Sequence, residues 1–269
     1  MLKNFINEKY LSEKNINILK NNYIQANPFN YLEINDFFKS DILNQVLKNF
    51  PDLRNLNSYK KENLNEKKFG LEDQSLMPND ISNFISFLNS GPFLKYIQKI
   101  TNINETLISD PYLNGGGLHE TKKGGFLKIH SDFYIHRHLK LDRRLNLLIY
   151  LNNDWKEEYG GQLELWDKNM KKCEKKISIN FNKIFIFSTN DKSFHGYPDP
   201  INCPIEKSRK SIAMYYYSNG RLDKEDLLNL PNTTNWKSRN NLKEVENNYT
   251  FKDYLRKFKF LRKLKNYFF

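Results

Sequence analysis

Cysteine is scarce in this 269-residue sequence, with only Cys173 and Cys203, and no apolar run reaches the roughly 18 residues of a membrane span. Two thiols cannot staple a small secreted framework, so both are expected to be free and structural. The first residues, MLKNFINEKYLSEKN, are broken by Lys, Glu and Asn where a secretory leader needs a continuous apolar stretch, so the expected location is cytoplasmic. Also missing are Cys/His zinc-finger spacings, an RNP-type aromatic strand and a basic region followed by heptads. No nucleic-acid partner is therefore firmly indicated, although 43 basic residues against 31 acidic ones leave a net charge of +12. A Lys-rich solvated surface explains that charge as well as any anionic partner does. Aromatic residues are not scarce: at 14%, with 39% hydrophobic residues in all, they exclude a disordered chain.

Three zones separate by pattern. Residues 1–106 read as helical: FFKSDILNQVLKNF sets Phe37, Ile42, Val46 and Phe50 at helical spacing after a Ser-Asp start signal and before Pro51, and ISNFISFLNSGPFLKYIQKI follows a polar, Lys- and Glu-rich loop. Residues 107–219 change to short apolar or alternating runs: FLKIH, LNLLIYLN, QLELW, KIFIFS and SIAMYYYS. Closely spaced strands between Gly, Asn, Asp and Pro turns predict a sandwich or barrel. Residues 220–269 are polar, then end in FKDYLRKFKFLRKLKNYFF, where Phe251, Tyr254, Leu255, Phe258, Leu261 and Leu264 share one helical face opposite Lys and Arg. Such a helix either packs on its own domain or makes peripheral contact with an anionic membrane surface.

Five histidines, His119, His130, His136, His138 and His195, are the candidate metal ligands. In His130-Ser131-Asp132 the two ligand types stand two residues apart, which on a strand turns both to one face. That spacing alone is common by chance with 31 acids in the chain. The context adds His195, after the strand-like KIFIFSTN, and Arg209 at the start of the next strand. Two His and one carboxylate on a barrel face form the facial triad of non-haem Fe(II) oxygenases, with positions left open for a keto acid and dioxygen. Arg209 supplies the planar fork that pairs with the far carboxylate of a dicarboxylate co-substrate. His136 and His138 form a rival HxH pair, but Arg137, Lys140 and Arg143 around them suggest a solvated loop or lid. His119, in GGGLHE, either lines the pocket or caps a turn.

GGFLKIHSDF, RRLNLLIYLNNDWKEEYGGQLELW, FHGYP and SRKSIAMYYYS together resemble the 2-oxoglutarate and Fe(II)-dependent dioxygenases, in particular their prolyl 4-hydroxylase-like branch. YLNNDW followed by GGQLELW is similar to the hypoxia-factor prolyl hydroxylases. The resemblance covers about Gly124 to Tyr217. It implies iron held by His130, Asp132 and His195, 2-oxoglutarate anchored by Arg209 and by the Tyr150 hydroxyl, O2 as oxidant and ascorbate as a reductant. From its residues alone Tyr150 is equally a core tyrosine. Two departures bear on substrate choice: a longer, Pro-rich loop between His195 and Arg209, and Asn146 where those enzymes carry Thr.

The expected fold is mainly β with α: a double-stranded β-helix of the jelly-roll, cupin-like kind, with supporting N-terminal helices and a C-terminal helix. The expected function is hydroxylation of an unactivated C–H bond in a small-molecule or peptide substrate, a prolyl or proline-like group among them, with release of succinate and CO2. A zinc hydrolase on the same barrel is the rival enzyme, disfavoured because no HExxH helix accompanies the ligands. A catalytically silent cupin-like binding module is the rival from another class.

Overall fold

The computed structural model describes residues 1–56, 58–222, 232–239 and 243–247. The amphipathic segment from Phe251 onward, with its expected docking on barrel or membrane, lies outside the described residues. Five α-helices precede residue 102: α1 (Leu2–Phe5), α2 (Glu13–Gln25), α3 (Ser40–Lys48), α4 (Asn79–Leu88) and α5 (Gly91–Thr101). Helix α2 starts after Ser12, whose hydroxyl accepts the Asn15 N–H at 3.3 Å. Helix α3 begins at the Ser-Asp pair, but its N-cap is Lys39 and no side chain caps it. Phe37 and Phe38 therefore precede the helix, and both are buried. The stretch from Ile81 to Ile100 divides at Asn89 and Ser90 into α4 and α5; Pro92 stands in the first turn of α5, and Asn102 ends it in the left-handed conformation. Among the described residues no helix is long and apolar enough to cross a membrane.

The strands are β1 (Tyr31–Asn35), β2 (Tyr59–Glu62), β3 (Glu66–Leu71), β4 (Gly117–Thr121), β5 (Phe126–Ser131), β6 (Asp142–Tyr150), β7 (Leu163–Trp166), β8 (Cys173–Ile177), β9 (Lys183–Ser188), β10 (His195–Tyr197), β11 (Arg209–Ser218) and β12 (Asn235–Trp236). Three of them fall within the stretch whose pattern reads as helical. β2 and β3 form a hairpin from the Lys- and Glu-rich segment, with Tyr59 opposite Gly70 and Glu62 opposite Lys67, and a Lys67–Glu62 ion pair of 2.8 Å across it. Its outer strand buries little, so charge pairing takes the place of the apolar alternation that would have marked it. Cys173 and Cys203 are free, as expected.

All ladders between the strands are antiparallel, in the order β1-β9-β6-β11-β4-β3-β5-β10-β7-β8, with β12 added to β5 and β2 to β3. The two ends approach one another: Lys175 of β8 bonds Glu33 of β1 at 3.0 Å and lies 5.1 Å over the Tyr31 ring. The sheet thus closes almost into a barrel, the jelly-roll arrangement of a double-stranded β-helix.

Strand parity sorts the interior. Leu145, Leu147 and Ile149 of β6, Ile184 and Ile186 of β9, and Ile212, Met214 and Tyr216 of β11 share one core with the helices. Alternate residues, among them Tyr150, Phe185 and Phe187, form a second core with Leu163, Leu165 and Tyr197. On this second face Asn146 stands opposite Tyr215, and Tyr150 opposite Ser211.

Candidate metal and co-substrate site

β5 carries His130 near its end, with Asp132 one residue beyond it, and β10 opens with His195 paired directly to His130. The side-chain ligand atoms of His130, Asp132 and His195 all lie within 4.8 Å of one another, the one such group among the described residues. His130 Nε2 is 3.5 Å from Asp132 Oδ1, and His195 Nε2 is 3.6 Å from Asp132 Oδ2. Each Nδ1 sits 2.8 Å from a backbone carbonyl, that of Lys128 for His130 and that of Ser193 for His195. A carbonyl can only accept, so each Nδ1 carries the hydrogen and each Nε2 turns its lone pair toward Asp132. This is the tautomer a metal ligand needs.

Burial, reinforced by the His130 charge, lowers the pKa of His195 to about 4, which keeps that ring neutral. For Asp132 burial acts upward, but the positive charge of Arg143, followed by His195 and His130, outweighs it and holds the carboxyl well below its ordinary range. Two imidazole nitrogens and one ionised carboxylate fit Fe(II).

Asp132 is held from behind by groups outside the expected set. Asn146 Nδ2 donates to Asp132 Oδ2 at 2.7 Å, and Arg143 Nη2 lies 3.4 Å from the same oxygen. Arg143 also donates to Asn146 Oδ1 from Nε at 2.9 Å and from Nη2 at 2.6 Å. Its guanidinium carbon lies 3.5 Å from the Tyr215 ring centroid and 4.4 Å from that of Phe133. Arg143 is 0% exposed, which corrects its reading as part of a solvated loop.

Arg209 is likewise buried, at 4% exposed, rather than a surface cation. Its Nε donates to the Gly161 carbonyl at 2.9 Å, and its guanidinium carbon stands 4.2 Å from the Tyr197 ring centroid and 5.2 Å from that of Tyr150. Gly161 has φ +80°, which favours glycine, and a Cβ there would press on Ile201 at 3.1 Å and Arg209 Cδ at 3.2 Å, so that those side chains would have to shift. Among the described residues no carboxylate pairs with Arg209. The Tyr150 hydroxyl is buried without a hydrogen-bond partner. Burial pushes its pKa up to about 12, against the opposing charge of Arg209. A buried guanidinium without an anion is costly, and the orphaned hydroxyl adds an unmet donor. The carboxylate of a 2-oxoglutarate molecule fits this end.

A cleft of about 750 Å³ joins the two ends, lined by His130, Asp132 and His195 as well as Arg209. Tyr150 does not line it and reaches the site only through Arg209. His119 does line it, with Nε2 3.2 Å from both the Tyr59 hydroxyl and the Gly115 carbonyl, and burial lowers its pKa well below the usual range. The HxH pair does not assemble. His136 is 0% exposed, its Nε2 lies 3.1 Å from Asp110 Oδ1, and its Nδ1 accepts the backbone N–H groups of His138 and Leu139 at 3.1 and 3.0 Å. It organises a turn, while His138 is exposed. Trp236, unforeseen, pairs through β12 with His130, its ring centroid 4.8 Å from that imidazole. A two-residue strand leaves no periodic signal. Asn146 had one, since it shares the parity of Tyr150 on β6.

The family model described as the 2OG-Fe(II) oxygenase superfamily matches residues 116–217. Among solved structures the chain is similar to a prolyl hydroxylase from Trichoplax adhaerens, in complex with a hypoxia inducible factor oxygen degradation domain peptide fragment, at 17% identity and TM-score 0.56 over 79% of this chain and 94% of that one. A Pseudomonas putida prolyl-4-hydroxylase matches at 11% identity and TM-score 0.55, covering 75% of this chain and 100% of the other. Prolyl 4-hydroxylases from Phytophthora capsici match at 16% identity and TM-score 0.52, over 96% and 73%. At these identities the likeness establishes the fold. None of these comparisons supports a zinc hydrolase or a silent binding module.

Proposed function

We propose that residues 116–217, which match the 2OG-Fe(II) oxygenase family model, form an oxygenase core in which His130, Asp132 and His195 hold the iron and Arg209 anchors 2-oxoglutarate, and that the enzyme hydroxylates a carbon of a peptide or small molecule, a prolyl group being the first candidate. The observation that carries the assignment is one cleft holding both a metal-ready triad and a buried, anion-free guanidinium. When bound, Fe(II) with 2-oxoglutarate and O2 supplies the oxidising chemistry: one oxygen atom enters a substrate C–H bond as hydroxyl, the other enters succinate, and CO2 leaves.

The chain's own residues bind, orient and exclude. The carbonyls of Lys128 and Ser193 fix the two imidazoles with Nε2 inward, Asp132 stays ionised beside Arg143, and Arg209 with Gly161 holds a carboxylate at the far end. Phe187 stacks edge-on to His195 at 4.6 Å and Trp236 covers His130, which keeps bulk water from the imidazoles. Ascorbate serves as the reductant that restores Fe(II), a cytoplasmic location suits a chain with free thiols, and contact with an anionic membrane falls to the basic C-terminal segment. Support for the prolyl preference comes from the sequence resemblance and from the likeness to solved prolyl hydroxylases.

The test is succinate formation by the purified chain with Fe(II) and 2-oxoglutarate, read against a panel of prolyl peptides and free amino acids. Turnover that requires both and is lost in His195→Ala supports the reading; no succinate under any condition, with tight zinc binding, overturns it.

A further inference from the structure

Every polar atom of the Asn146 side chain is committed. Its Oδ1 receives three donors, Arg143 Nε at 2.9 Å, Arg143 Nη2 at 2.6 Å and Thr189 Oγ1 at 3.3 Å. Three donors on one atom require that atom to be the oxygen, so the amide has a single orientation and its nitrogen must face Asp132. Arg143 cannot swing away, because Tyr215 and Phe133 hold it and Tyr215 stands directly opposite Asn146 in the β6–β11 ladder. The two oxygens of Asp132 consequently differ. Each faces one imidazole, Oδ1 that of His130 at 3.5 Å and Oδ2 that of His195 at 3.6 Å, but only Oδ2 also accepts the Asn146 amide, at 2.7 Å, and has Arg143 at 3.4 Å.

We infer that Asn146 is a positioning residue that reserves Asp132 Oδ2 for the amide, so that Asp132 meets the iron through Oδ1 alone. This rests on the proposed triad and goes beyond it. A carboxylate binding through both oxygens would take one of the positions that a facial triad leaves open for co-substrate and dioxygen. A charge-assisted donor on Oδ2 opposes that, since two-oxygen binding would have to break it. Asn at position 146 is long enough to span from Arg143 to Asp132 along the strand face, and Thr, with one short hydroxyl, would have to leave either the guanidinium or the carboxylate unmatched.

The experiment is anaerobic Co(II) titration of the full chain, followed by visible absorption, whose band intensity reports coordination number. Asn146→Leu and the milder Asn146→Ser should each weaken Co(II) binding by about 10-fold to 100-fold, the usual effect of removing a group that supports a metal ligand, and should change the band intensity. Thr189→Val, which removes a neighbouring bond to the same amide but leaves the Asp132 donor, should do neither. His130→Ala should abolish binding. Wild-type affinity and spectrum in both Asn146 variants overturn the inference while a silent His130→Ala keeps the triad reading intact. Unchanged binding in His130→Ala overturns that reading itself. X-ray absorption of the Co(II)-loaded wild-type chain needs no variant: one Asp132 oxygen at bonding distance supports the inference, and two refute it.

Discussion

At the proposed metal end of the cleft a buried carboxylate is matched by a buried guanidinium and an amide, whereas at the co-substrate end Arg209 is buried with no anion and Tyr150 with no hydrogen-bond partner. The first end has its carboxylate held and its charge met before any ligand arrives, although Arg143 Nη1 is left without a hydrogen-bond partner. The second is completed only by a ligand. Two arginines in one barrel, each at most 4% exposed, therefore differ in how fully their charge is met in the ligand-free protein.

Replacing each arginine with methionine breaks or sharpens that contrast most strongly. Arg143→Met leaves Asp132 without its cation and should cost about 3 to 5 kcal/mol of folding stability, as loss of one partner from a buried pair does. Arg209→Met removes a charge that no anion offsets, along with one hydrogen bond to Gly161 and contacts with two tyrosine rings, and should cost the ligand-free protein clearly less than Arg143→Met does. Urea unfolding of the two variants in metal-free buffer reads both effects; equal losses would erase the distinction.

Acidification should show the same asymmetry on a smaller scale. His195 takes up its proton near pH 4 in the fold and near 6.5 when unfolded, so between those values the unfolded chain holds more protons. Stability then falls with acidification, beginning near pH 6.5 and complete near pH 4, by at most about 3 kcal/mol. Asp132 pushes the same way lower down: its depressed carboxyl contributes stability above the ordinary carboxylate range, and that contribution is lost as pH falls toward its own low value. Melting temperature of metal-free protein against pH checks this, and His195→Gln should flatten the upper part of the curve.

Tyr150 is the milder test of the far end. Tyr150→Phe removes a hydroxyl that has no partner in the free protein, so stability should hold, and loss of one neutral hydrogen bond to the co-substrate, about 1 kcal/mol, weakens 2-oxoglutarate by about 5-fold. No change at all would mean that the hydroxyl stays behind Arg209, consistent with its absence from the cleft lining. The smallest effect on affinity belongs to Trp236. Trp236→Phe should leave Co(II) affinity nearly intact yet abolish most of the fluorescence quenching on metal addition, because this ring lies 4.8 Å from His130 while Trp155 packs on Tyr159 and Trp166 donates to Glu164.

What the sequence makes legible here follows from strand periodicity. His130 and Asp132 could be grouped by a period of two, and His195 and Arg209 added by the apolar runs beside them, although β5 and β10 are paired and Arg209 reaches the cleft from β11, farther along the sheet. Arg143 could not, since its burial depends on Tyr215 and Phe133, one of them 72 residues away, and in sequence it is one more cation in a basic run. The β2–β3 hairpin escaped for a related reason: strands whose faces are both charged carry no apolar alternation, and their ladder is visible only once formed. Trp236 lies beyond the segment that carries the family pattern and enters the site through two residues of strand.

The central claim is that the two ends act on one ligand assembly. Calorimetric titration of 2-oxoglutarate under anaerobic conditions, into Fe(II)-loaded and metal-free wild type and into Fe(II)-loaded Arg209→Ala, tests it most directly. The account predicts one site per chain, affinity that depends on Fe(II), and a loss of about 10-fold to 150-fold in Arg209→Ala, the equivalent of a charge-assisted bond of about 1.5 to 3 kcal/mol. Binding indifferent to both the metal and Arg209 would contradict it.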